Sequence, residues 1–252
     1  DLPGFSGADL KNLVNEAAMA AARAGDKAVA MRHFDEMRDR ILMGTVRTLA
    51  IKPEERHRLA VHEAGHTAVA YHLPEADPPY KVSIIPRGRA LGGTQQLPEV
   101  ERHNLTESYL RDRLAVMLGG RAAERMFLGS ISSGAEEDIR GATQLARAMV
   151  GRWGMSEEIG PVDVRESDEH PFLGREIAQP RHFSEATAEA ADAAVRDLLH
   201  TAEERALDVL KTHRAAVEQL IGELQAHETL ERPAIAACLG SRDESTPRAA
   251  EA

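Results

Sequence analysis

The residues with the most explicit chemistry are His62, Glu63 and His66, in the run VHEAGHTAVA. On an α-helix, positions four apart share a face, about 6 Å apart along the axis and ~40° apart around it. Two imidazoles so placed can converge on one zinc ion, and a glutamate beside the first can reach a water bound to that ion. The pattern is that of a metal-assisted hydrolase with Glu63 as general base. The same five letters can also sit on a solvated helix face, so a third ligand and a framework must come from elsewhere in the chain.

The surrounding residues predict the helix that the pattern needs. Pro53 suits a first helical position, Glu54 and Glu55 favour the positive N-terminal end, and Leu73-Pro74 stops the helix after about Tyr71. A catalytic zinc takes three protein ligands and leaves one position for water. The extended pattern HExxHxxGxxH is absent, because Val69 stands at its glycine. A distant segment must supply the third ligand, and Glu124, Glu136, Glu137 and Asp138 are the acidic candidates. Asp138 lies early in a helix after a Ser-Ser-Gly-Ala turn. Glu124 could instead be the acceptor that orients a ligating histidine. Spacing alone does not choose between them.

The rest of the chain reads as mainly helical. Helices are expected from Gly7 to about Gly25, from His33 to Met43, from Thr106 to about Phe127, from near Ser133 to Gly154, from Ser184 to Thr212 and from Arg214 to His227, with a short one after Pro233. Residues 44–52 form a connector that reads as extended. YKVSIIP after Pro78-Pro79 reads as a strand, Arg87-Gly88-Arg89 as a turn, and LGGTQQL at 91–97 as a second strand. That second strand could be half of an ordinary hairpin, or an edge that pairs with an extended peptide beside the metal. Residues 155–183, broken by Gly160, Pro161, Pro171, Gly174 and Pro180, read as mostly irregular. The remaining histidines, His33, His72 and His213 among them, are assigned to the surface, and Trp153 to packing between helices.

The 252 residues, 42% hydrophobic, suffice for one substantial core or two smaller ones. A net charge of -10 argues against nucleic acid as a partner. The single cysteine, Cys238, excludes an intrachain disulfide and a cysteine-rich zinc site. The start Asp1-Leu2-Pro3-Gly4 carries no signal-peptide pattern and reads as that of a fragment or processed chain, and no run is apolar enough for a membrane span.

HEAGH, IIPRGRALGGTQQLPE, LGGRAAE, SSGAEEDIRGAT and WGMSEEIGP, in this order, resemble the peptidase domain of the FtsH family, membrane-anchored ATP-dependent zinc metalloproteases. GFSGADLKNLVNEAA is similar to the lid subdomain that ends that family's AAA+ module. The resemblance implies a helical zinc-peptidase domain with a small β-sheet, at 45–240, after a partial lid at 1–44 and before a disordered tail at 241–252. It implies Zn2+ held by His62, His66 and Asp138, with Glu63 catalytic and Glu124 not a ligand. No GxxxxGK[ST] occurs, so ATP and Mg2+ would belong to an absent upstream module. The resemblance further implies unfolded or tagged protein substrates and a homo-oligomer, a hexameric ring. It also implies a parent anchored in a bacterial inner membrane or organelle equivalent through upstream segments, with this soluble stretch on the cytoplasmic or matrix-type side. Val61 departs from the tyrosine often found before HEAGH, and the connector lacks the usual GPE-type sequence. A proteolytically inactive scaffold subunit, or an adaptor-binding module with a structural zinc, are the competing expectations.

Overall fold

The computed structural model describes residues 5–43, 51–86, 92–96, 104–165 and 183–240. The connector at 44–50, the expected turn at Arg87–Arg89, residues 166–182 and the tail at 241–252 lie outside the described residues.

The chain starts with α1 (Gly7–Ala24) and α2 (Met31–Met43), a helical pair with its own small core of Leu13, Ala17, Ala20 and Met37. Ser6 and Asp9 close a reciprocal cap on α1, and Gly25 ends it in the left-handed conformation, where glycine avoids a Cβ clash. His33, expected at the surface, is only 3% exposed. The Ala30 amide donates to its Nδ1 at 2.9 Å, so Nε2 carries the proton and donates to Asp26 at 2.9 Å. The ring therefore ties the α1–α2 turn to the start of α2.

The main core is built around α3 (Pro53–His72), which is buried on every side from Ala60 to Ala70. It packs against α4 (Glu107–Ala123), α6 (Glu185–Thr212), α7 (Arg214–His227) and a sheet. The sheet has the order β2–β1–β3, all antiparallel, with β1 (Pro79–Ser83) between β2 (Gly93–Gln96) and β3 (Thr229–Glu231). The expected strands at 80–86 and 91–97 correspond to β1 and β2. Strand β3 was not expected: its three residues are too few to show a period of two, and they follow Glu228, which turns the chain at φ 61°.

Helix α4 gives way at Ala123 to a π-helical turn, Glu124–Leu128, and a 3-10 turn at Ser133–Ala135 leads into α5 (Glu136–Gly151). The single helices expected over 106–127 and 133–154 are thus each interrupted or shortened. Trp153, expected to pack between helices, is 42% exposed, because α5 has already closed and both Arg152 and Trp153 direct their amides back to the Ala148 carbonyl. Helix α8 (Arg232–Leu239) completes the core. Two buried carboxylates pin α4 to α6. Asp112 accepts from Arg205 at 2.6 Å and from the Glu75 amide at 3.1 Å, and Glu203 pairs with Arg121 and Arg125.

Helices α3 and α4 cross closely in the core. A Cβ on Gly65 would lie 2.4 Å from the Gly119 carbonyl oxygen, and one on Gly119 would lie 3.0 Å from that of Gly65. Backbone on both sides cannot yield as a flexible side chain can. Gly65→Ala should therefore lose about 2–3 kcal/mol through forced separation of the helices, a fall of roughly 5–10 °C in thermal midpoint. An unchanged midpoint by calorimetry would show that the crossing tolerates a methyl group.

Candidate metal centre

The same helix crossing decides where the histidines point. His62 and His66, one turn apart on α3, turn their rings toward Gly120 of α4. A Cβ there would stand 2.5 Å from His66 Nε2 and 2.6 Å from His62 Nε2. Glycine at 120 thus leaves room for two imidazoles, whose Nε2 atoms lie 3.0 Å apart. Each ring is fixed from behind. His66 Nδ1 lies 2.7 Å from the Val116 carbonyl, which can only accept, so Nδ1 carries the proton and the neutral ring turns a lone pair inward at Nε2. His62 Nδ1 donates to Glu124 Oε1 at 2.9 Å, with the same result.

Of the acidic candidates, the structure brings Asp138 to the inner nitrogens and Glu124 to the outer one. Asp138 Oδ2 lies 3.1 Å from His62 Nε2 and 3.4 Å from His66 Nε2. It sits in the first turn of α5, aimed by the 3-10 turn that Ser132 caps. Glu136 and Glu137 leave the same turn on exposed faces. Glu124, 1% exposed, opens the π-helical turn and accepts from Arg58 at 2.8 Å and Ser132 at 3.0 Å as well as from His62. Burial would raise its pKa, but the donors Ser132, His62 and Arg58 outweigh that and hold it below the usual value. Arg58 and Ser132 had no signal in the sequence; they are single polar residues whose role exists only once Glu124 is placed.

Burial also opposes charge on Asp138 and His66, and here too the partners win. Hydrogen bonds to His62 and His66 hold the Asp138 carboxyl well below the ordinary carboxylate range. Asp138 and Glu63, together with the Val116 carbonyl, raise His66 from 6.5 to about 9. Glu63 is different. Burial dominates and pushes its carboxyl above the ordinary value, although His66, His62 and a hydrogen bond from Thr94 pull the other way.

The donor set fits a zinc ion. Three electron-rich atoms, two imidazole nitrogens and one carboxylate oxygen, lie within 3.4 Å of one another with their lone pairs converging. Tetrahedral zinc with bonds of ~2.0–2.1 Å spaces its ligand atoms about 3.3 Å apart. Among the described residues, His62, His66 and Asp138 form the group of metal-ligating side chains that could hold an ion. A recess of about 500 Å³, lined by residues such as Arg111, Met155 and Leu198, shares no residue with this centre.

The sequence model of peptidase family M41 matches residues 49–238, and that of an AAA+ lid domain matches residues 2–36. An ATP-dependent zinc metalloprotease FtsH from Hahella chejuensis is 62% identical over 94% of this chain and 38% of its own length. Proteins of the same name from Nitrosococcus oceani and Marinobacter nauticus are 51% and 48% identical, each over 90% of this chain and 36% of their own length. The chain therefore spans little more than a third of these relatives.

The raised pKa of His66 has a consequence for metal binding. In the metal-free protein the ring keeps a proton from the ordinary imidazole range up to about pH 9, and a cation must displace it. Calorimetric titration with zinc at about pH 7.5, in buffers of different ionisation enthalpy, should show about one proton released, falling toward none above roughly pH 10. Binding without proton release at the lower pH would contradict the raised value.

Proposed function

The chain belongs to peptidase family M41, and from that premise we propose that it is a zinc-dependent endopeptidase domain with His62, His66 and Asp138 as ligands and Glu63 as general base. The observation that carries this reading is the convergence within 3.4 Å of Nε2 of His62 and of His66, both on the helix that holds the buried Glu63, with Asp138 Oδ2 from α5. A bound zinc ion would supply Lewis acidity toward a scissile carbonyl and bring the pKa of a water in its open position toward ~7.

The chain's own residues do the rest. Glu124 and the Val116 carbonyl keep both rings in the tautomer that ligates through Nε2. The Glu63 carboxylate takes a proton from the attacking water and returns it to the leaving amine. Its pKa, raised by burial, suits a group that must hold that proton and then release it. Among the described residues, strand β2 has β1 on one side and no strand on the other, and it lies beside Glu63 through Thr94. An extended peptide adding to this edge would bring its backbone past the base, so the substrates are unfolded or tagged polypeptides rather than folded ones.

The resemblance of residues 2–36 to an AAA+ lid supports a parent in which an upstream ATPase feeds this site, in a homo-oligomeric ring, with a hexamer as the expected form. The relatives are named ATP-dependent zinc metalloproteases, which supports the same reading. No described helix is long and apolar enough to cross a membrane, so anchoring would come from other parts of the parent.

Glu63→Gln should keep stoichiometric zinc while its turnover of unfolded casein falls about 10²–10⁴-fold; turnover at the normal rate would remove Glu63 from the mechanism. Asp138→Ala should lose both metal and activity. Full zinc retention by elemental analysis in that variant would return Glu124 to consideration as the third ligand.

A further inference from the structure

The side chain of Glu63 is held from two sides, and both holders lie at the start of β2. On one side is Gly92. A Cβ there would lie 2.8 Å from Glu63 Oε1 and 3.0 Å from both Glu63 Cγ and the Ser83 carbonyl oxygen. On the other side is Thr94, whose Oγ1 lies 3.0 Å from Glu63 Oε2, 3.2 Å from the Glu63 carbonyl and 3.1 Å from Thr67 Oγ1. Thr67 Oγ1 donates to the Glu63 carbonyl at 2.8 Å.

Each hydroxyl has one proton, and this settles the arrangement. The proton of Thr67 is committed to the nearby Glu63 carbonyl. That of Thr94 has three acceptors within reach, of which the ionised Oε2 is the strongest, since a charged acceptor roughly doubles the worth of a hydrogen bond. When Glu63 becomes protonated, the Thr94 hydroxyl can turn its proton to the Glu63 carbonyl or to Thr67 Oγ1. Its own lone pair then accepts from the new carboxylic O–H.

We propose that Thr94 is a positioning residue whose hydroxyl holds the Glu63 carboxylate in one orientation and reverses its hydrogen bond as Glu63 gains and loses a proton. This rests on the reading of Glu63 as the base. In the first step an O–H bond of the attacking water breaks as its oxygen bonds to the scissile carbonyl carbon and the carbonyl π pair moves onto its oxygen; the proton forms an O–H bond on Glu63, while Thr94 changes from donor to acceptor. In the second step the carbonyl re-forms, the C–N bond breaks and the Glu63 proton passes to the departing amine nitrogen, after which Thr94 donates to the carboxylate again. Because Thr94 is paired with Val82 in the sheet, the orientation of the base depends on β2 being in register. A peptide that pairs with β2 would thereby steady the group that acts on it.

The test compares Thr94→Val, which keeps the shape and removes the hydroxyl, with Thr94→Ser, which restores it. In the zinc-loaded protein, kcat on unfolded casein should fall about tenfold or more in Thr94→Val, with KM within about twofold and zinc content unchanged. Thr94→Ser should stay within about threefold of wild type. A crystal structure of metal-free Thr94→Val should show the Glu63 carboxylate in more than one orientation. Wild-type kcat in Thr94→Val, or equal losses in both variants, would overturn the role of Thr94 alone. Zinc-loaded Glu63→Gln that cleaves casein at the wild-type rate would overturn the reading of Glu63 as base, and the reversing hydrogen bond with it.

Discussion

Three lone pairs are forced together where α3 crosses α4, and most of the domain can be understood as the means of keeping them there. Left alone, two imidazole nitrogens and a carboxylate oxygen at these distances repel one another, and burial strengthens the repulsion. A proton shared between His66 and Asp138 relieves it in part, and a divalent cation relieves it more fully. The site is thus built to hold positive charge. Removing one of its members would leave a buried charge or lone pair without compensation, which is costly even where the pair itself adds little stability.

The positions of the three atoms are set by groups that never touch the centre. Gly120 leaves the space for the rings, and Gly65 and Gly119 let the helices approach closely enough for that space to matter. Arg58 and Ser132 hold Glu124, which holds His62, so the tautomer of that ring depends on a chain of bonds reaching the protein surface. The π-helical turn that begins at Glu124 and the 3-10 turn at Ser133–Ala135 redirect the chain so that the next helix starts at the site with Asp138 in its first turn. The ion pairs of Asp112 and Glu203 fasten α4 to α6, and so give the crossing a rigid back wall.

Much of this was legible in the sequence, for reasons that can be named. The expected limits of α1, α6 and α7 lie close to the observed ones, where Ser6 and Ser184 cap α1 and α6 and Gly25 ends α1. HEAGH announced its own geometry because a helix fixes the spacing of its faces. The carboxylate that joins the two rings did not, since which one reaches them depends on a crossing between distant segments, and only the family resemblance singled out Asp138. The misplaced residues share a cause. His33 is buried because Asp26 and the Ala30 amide satisfy both ring nitrogens, and Trp153 is exposed because α5 ends two residues before it; neither depends on composition. Gly92 of LGGTQQL is a point of close approach both to the Glu63 side chain and to the Ser83 backbone carbonyl.

The central claim concerns which atoms bind the metal. Diffraction data collected on either side of the zinc absorption edge, from crystals of the zinc-loaded protein, locate the ion and its bonded neighbours directly. The account predicts one zinc bonded to His62 Nε2, His66 Nε2 and an Asp138 carboxylate oxygen, with Glu124 still on His62 Nδ1 and no fourth protein ligand. Zinc bonded to Glu124, or a site closed by a fourth side chain, would contradict it.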